Sequence, residues 1–209
     1  MKFFSVDSPL YRFLSKLLDV IKLNFLWILF SIPLITIGAS TVAAMSVALK
    51  MADDEEGYIG RGFLKAFKEN WKQGTALWLI TAAAAYAIYL DFQFFEALEG
   101  NPILFLIIGI VSIVLAVSAL LYSYPLTARY ENTLFRIINN SIDISRKYVG
   151  RTILLAAILC VEFILFQYNA TMLFFGILLG PGFMIFTVAS FSKRIFLLIE
   201  KDNRDSSVE

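Results

Sequence analysis

Apolar residues run along the chain in six long stretches, with polar residues gathered at the joints between them. The stretches cover residues 17–32, 35–51, 75–90, 103–122, 152–166 and 171–191. Each is close to the length that carries a helix across a hydrocarbon layer. The second is the shortest case: at about 1.5 Å rise per residue it reaches roughly 25 Å, enough with tilt or local thinning. Pro33 separates the first two stretches. It lacks an N–H and restrains Ile32, so a helix stops or kinks there. Gly180-Pro181-Gly182 is expected to break the last stretch in its middle.

Two polar segments keep a helical period. In 59–73, Ile59, Phe63, Leu64, Phe67 and Trp71 share a face, flanked by Arg61, Lys65, Lys68 and Lys72. In 129–150, Tyr130, Leu134, Ile138, Ile142 and Val149 recur at near-helical spacing among Arg129, Arg136, Arg146 and Lys147. Both are read as amphipathic helices lying in a membrane interface, the second broken near Asn139-Asn140. Residues 1–16 read as a shorter interfacial segment, and the tail from Ser192 as a charged, frayed end.

Composition fixes the class. With 59% apolar and 17% charged residues and a mean hydropathy of +0.74, the chain has too little polar surface to cover a soluble globule. The expectation is an all-α, polytopic helical membrane protein of about six transmembrane helices, in three hairpins. The 18 Lys and Arg fall in four blocks, 2–22, 50–72, 129–151 and 193–204, and the connections at 91–101 and 167–170 carry none. By the positive-inside rule the four blocks are cytoplasmic, giving a multi-pass plasma-membrane protein with both termini inside. Residues 35–51 then either cross or belong to a re-entrant element with residues 24–41.

Histidine is absent and Cys160 is the lone cysteine. Imidazole metal ligands, Ser-His or Cys-His catalysis and intrachain disulfides are therefore excluded. No phosphate-cradling glycine loop or carboxylate dyad shared between spans is present, so no catalytic, cofactor-binding or metal-binding residue is assigned and the chain is read as not an enzyme. Near-neutral net charge gives no reason to expect nucleic acid. An ionisable group inside a span is a candidate site by default, and Glu162 is the clearest. It is read either as a proton- or cation-linked carboxylate or as a structural hydrogen-bonding group. The two helix breaks, Pro33 to Thr41 and around Pro181, are read either as the lining of a binding site or as close helix packing through small residues. Trp27, Trp71 and Trp78 read as interface anchors.

Two stretches, "NFLWILFSIPLITIGASTVAA" (Asn24 to Ala44) and "YPLTARYENT" (Tyr124 to Thr133), resemble the YesL-like family of bacterial membrane proteins, domain of unknown function 624. Asn24, Trp27, Pro33, Gly38, Ser40, Thr41, Pro125, Arg129, Glu131 and Asn132 match its recurring positions. The resemblance implies a protein that accompanies carbohydrate-uptake ABC transporters, with no activity established for the family. The leading expectation is an accessory or regulatory component of such an importer, partnered by the lipid bilayer and by ABC transporter subunits. An independent small-solute transporter or channel, or a membrane assembly factor, are the alternatives. Asn24 and the Arg129, Glu131, Asn132 cluster are expected to lie close together at the inner interface.

Overall fold

The computed structural model describes residues 9–53, 55, 57–97 and 103–205. The interfacial segment expected before residue 9, parts of the acidic turn and of the 91–101 connection, and the last four residues lie outside this set. Among the described residues all regular structure is helical: α1 (Pro9–Ser31), α2 (Ile37–Met51), α3 (Ile59–Ala97), α4 (Ile103–Leu120), α5 (Ser123–Arg129), α6 (Leu134–Lys147), α7 (Val149–Gln167) and α8 (Ala170–Asp205). Five segments are long and apolar enough to cross a membrane: Leu34–Met51, Ile59–Phe95, Ile103–Arg129, Val149–Gln167 and Ala170–Asp202. The first helix carries Arg12, Lys16, Asp19 and Lys22 and is not among them.

The organising element is α2. Its sequence, IGASTVAAMSVALKM, is built from small side chains, and eleven of its residues are buried. The reason is its surroundings: α1, α3, α5 and α8 all pack on it. Small residues let those backbones come close, the packing device available where lipid removes the hydrophobic drive between helices. At the α2–α3 crossing, a Cβ built on Gly74 would lie 2.7 Å from Ala39 Cα, and one on Gly38 would run into the Gly74 carbonyl. Two glycines therefore set the closest contact in the core. Around it lie Leu23, Met51, Phe63, Tyr122, Leu155, Ile195 and Phe196, all buried.

The outer helices have the opposite character. Only 6% of the apolar window of α4 and 11% of that of α7 is buried. Leu104, Ile107, Val114 and Leu115 of α4 and Ile153, Val161 and Ile164 of α7 are exposed. A protein with an inside this well packed does not leave whole helices of Leu, Ile and Phe facing water. These faces are suited to acyl chains.

Three segments depart from the expectations drawn from the sequence. Residues 59–73 and the span after them form one continuous helix, α3. Part of the apolar face of its first stretch packs inside the protein: Phe63 is fully buried, and Phe30 meets Phe63 and Phe67 at ring distances of 5.4 and 5.0 Å, while Leu64 and Trp71 stay exposed. Second, α8 passes through Pro181 without ending and continues to Asp205, so the expected break is not seen and, among the described residues, the tail from Ser192 is helical. Third, α6 runs through Asn139 and Asn140, and the helix is interrupted instead at Tyr148.

Candidate functional site

The turn after α1 contains Ile32, Leu34 and Ile35, all strongly exposed, joined through a single 3₁₀ turn at Leu34–Thr36. An apolar turn with unpaired carbonyls would be costly away from water. Thr36 solves this locally: its hydroxyl lies 2.6 Å from the Phe30 carbonyl and 2.7 Å from that of Pro33, while its N–H donates to Pro33 O at 2.8 Å. The first helix is tied to the second by Trp27, whose indole N–H donates to Thr41 Oγ1 at 3.0 Å. Thr41 in turn donates to Ile37 O at 2.8 Å. Trp27 is thus an internal strut, not only an interface anchor.

Asn24 and Pro181 form one unit. Proline at 181 has no N–H for the carbonyl of Ile177, four residues earlier. The Asn24 carboxamide, 1% exposed, supplies the missing donor: Nδ2 donates to Ile177 O at 3.1 Å and to Leu178 O at 2.8 Å. Its Oδ1 accepts the Gly182 N–H at 2.8 Å. Gly182 is required for this approach, since a Cβ there would lie 2.9 Å from Asn24 Cβ. The side chain therefore caps the carbonyl that Pro181 leaves free and bridges the next peptide groups. It also joins α1 to α8.

A second polar centre lies where α5 meets the far end of α8. Pro125 sits buried in the first turn of α5, where its missing N–H costs nothing. Arg129 Nη2 meets Glu200 Oε1 at 2.9 Å, and the Tyr130 hydroxyl donates to the same oxygen at 2.6 Å. Arg129 also lies over the Tyr130 and Phe196 rings, each at 5.7 Å. Burial, with the Glu200 carboxylate as acceptor beside it, pushes the Tyr130 phenol up to about 12. Next door, Lys147 pairs with Asp202 at 2.9 Å, which raises the lysine above its ordinary value. Between these groups opens a cavity of about 400 Å³, with Leu126, Ile144 and Phe196 as its apolar wall and Asn132, Asn140, Asp143 and Lys147 as its polar rim. The Asn132 carbonyl accepts from Gln73 Nε2 at 2.6 Å, which ties this centre to α3.

The expected meeting of Asn24 with Arg129, Glu131 and Asn132 does not occur. Both sites attach to α8, Asn24 at Gly182 and Arg129 at Glu200, and eighteen residues of helix separate them by about 27 Å. What does come together is the helix each motif builds: α5 packs directly on α2. Glu131 is exposed. Ser40 is fully buried, and its hydroxyl finds no partner among the described residues. Gly38 serves the α2–α3 crossing.

The remaining intramembrane acids are paired across helices. Thr187 donates to Glu162 Oε1 at 2.8 Å. Ser112 donates to Asp91 Oδ2 at 2.8 Å, so Asp91 belongs to the α3–α4 packing and not to an outer connection. Sequence reasoning missed Glu200, Gln73 and Thr187, and placed Tyr130 only on an amphipathic face. Glu200 had a readable signal, since it is the first acid after the apolar run that ends at Ile199 and is positioned like an interfacial pairing group. Nothing in the chain pattern marks Gln73 or Thr187.

Residues 20–92 match the family described as a protein of unknown function, DUF624. The uncharacterized protein YesL of Bacillus subtilis (strain 168) is 28% identical over 195 residues, covering 90% of each chain. No solved structure matches. The matched residues run from the α1 strut through the central helix α2 and the glycine crossing into α3, the part of the fold on which α4, α5 and α8 pack. The chain is thus similar to the YesL-like DUF624 family, over its first part by the family model and over most of its length by the relative, and its architecture is all-helical with five segments long and apolar enough to cross a membrane.

Proposed function

We propose that the protein crosses the plasma membrane six times with both termini in the cytoplasm. In this reading it has no enzymatic activity and serves as an accessory or regulatory component of a carbohydrate ABC importer. The observation that carries this reading is the cavity between α5, α6 and α8. Its mixed lining of Leu126, Phe196, Asn140, Asp143 and Lys147 is of the kind that receives a partner's side chain or short segment. It lies at the end of the molecule that holds the basic blocks 129–151 and 193–204, which the positive-inside rule assigns to the cytoplasm, where an importer's ATPase is found.

The polar groups that an independent carrier would offer a solute are partly engaged: the Asn24 carboxamide, Asp91 Oδ2 and Glu162 Oε1 are held by other parts of the same chain, while Glu162 Oε2 is buried with no partner among the described residues. Affinity purification of the tagged chain from native membranes of carbohydrate-grown cells tests the reading. It is supported if importer subunits are recovered and if Asn140→Trp, which fills the cavity, loses them. Recovery of no transporter component by the unaltered chain refutes it.

A further inference from the structure

The outer helices α4 and α7 do not pack on one another; α6 contacts both. A groove of about 590 Å³ remains between them, walled by Ile113, Val114 and Val117 on one side and by Ile153, Ala157 and Cys160 on the other. The polar groups at its base face inward: Ser141 and Ser145 donate to the Ser118 carbonyl at 2.9 and 3.1 Å, and Tyr122 meets Thr152 at 3.1 Å. The groove wall is therefore apolar along its length. Arg146 stands at one end of it.

The charge at that end is specific. Lys147 is paired with Asp202, whereas Arg146 is exposed and has no ion pair among the described residues. The Tyr148 ring sits between Lys147 at 5.6 Å and Arg151 at 5.8 Å. A tyrosine flanked by cations at a helix junction is an anchor for headgroup depth. An unpaired guanidinium at headgroup depth, at the open end of an apolar channel, matches a lipid phosphate in charge and geometry.

We propose that the α4–α7 groove is a binding site for an anionic phospholipid of the leaflet nearest the basic segments. One acyl chain lies between Val114 and Ala157, and the phosphate rests on Arg146. The site is independent of the importer reading. The full-length protein, released from detergent micelles for native mass spectrometry with added phosphatidylglycerol or phosphatidylcholine, tests it directly. The unaltered chain retains phosphatidylglycerol in preference. Arg146→Ala lowers that retention about fivefold, the loss expected from one juxtamembrane cation, and lowers that of phosphatidylcholine, whose choline offsets its phosphate charge, by less. Ala157→Phe, which fills the groove from an exposed position, loses both lipids. Equal phosphatidylglycerol retention by Arg146→Ala overturns the proposal, whatever Ala157→Phe does. It is overturned equally if Ala157→Phe keeps its lipid but sheds a co-purifying membrane protein, because the groove then seats a partner's helix.

Discussion

Replacing Asn24 by alanine removes three hydrogen bonds at once, and the structure indicates how much of that loss is felt. Leu178 O and Gly182 N–H stand four residues apart and can pair with one another as in a regular helix. The Ile177 carbonyl has no such recourse, because the residue four positions on is Pro181. One buried acceptor is left orphaned, at about 1–3 kcal/mol, and the vacated side-chain volume adds about 1 kcal/mol. The expected destabilisation is about 2–4 kcal/mol, measured by reversible unfolding in mixed detergent micelles. The origin of the cost is separable, because Pro181→Ala restores an N–H for Ile177 O. In a double-mutant cycle Asn24→Ala should therefore cost at least 1 kcal/mol less on the Pro181→Ala background. Additive losses would show that Asn24 acts through packing alone, and a cost below about 0.5 kcal/mol for Asn24→Ala would refute the capping account outright.

Three further outcomes follow from the same geometry. Gly38→Ala and Gly74→Ala should each destabilise by about 1–3 kcal/mol through overpacking, while Gly60→Ala, whose Cβ would meet nothing within 4 Å, should be neutral or slightly stabilising in the same unfolding assay. Glu162→Gln keeps an acceptor for the Thr187 hydroxyl, so stability and growth on carbohydrate should be unchanged; loss of growth with the fold intact would establish a role for the charge. For Tyr130, a folded-state value of about 12 against an ordinary 10.0 means the folded chain holds a proton that the unfolded chain releases. Its contribution to stability is complete below pH 10 and is lost as pH rises toward 12. Absorbance titration of Tyr130→Phe should lack one late-ionising phenol, and an unchanged late phase would contradict the Glu200 contact.

Much of the architecture could be read from the chain because membrane helices obey few rules. The apolar runs locate the helices and Pro33 places the first turn, whereas the two motifs point to a meeting of Asn24 with Arg129 that does not occur. What could not be read depends on which face meets which neighbour. The sequence around Gln73-Gly74-Thr75 looks like a joint between an interfacial helix and a span. It is a packing seam, with Gly74 admitting α2 and Gln73 reaching Asn132. Gly180-Pro181-Gly182 looks like a break for a related reason. A proline within a helix frees the carbonyl four residues earlier, and the donor that satisfies it here comes from Asn24, over 150 positions away in sequence. The polar centre was half visible: Arg129 stood out, but its partner Glu200 lies in a stretch whose composition resembles a solvated tail.

The importer reading rests on which side of the membrane the α5–α6 segment faces. Single cysteines introduced into a Cys160→Ser background decide it, read out with a membrane-impermeant maleimide on intact cells and on permeabilised ones. Tyr168, 82% exposed at the α7–α8 turn, and Asn139, exposed on α6, mark the two faces. Tyr168→Cys should be labelled on intact cells, and Asn139→Cys only after permeabilisation. Labelling of Asn139→Cys on intact cells, with Tyr168→Cys protected, would contradict the orientation on which the importer reading stands.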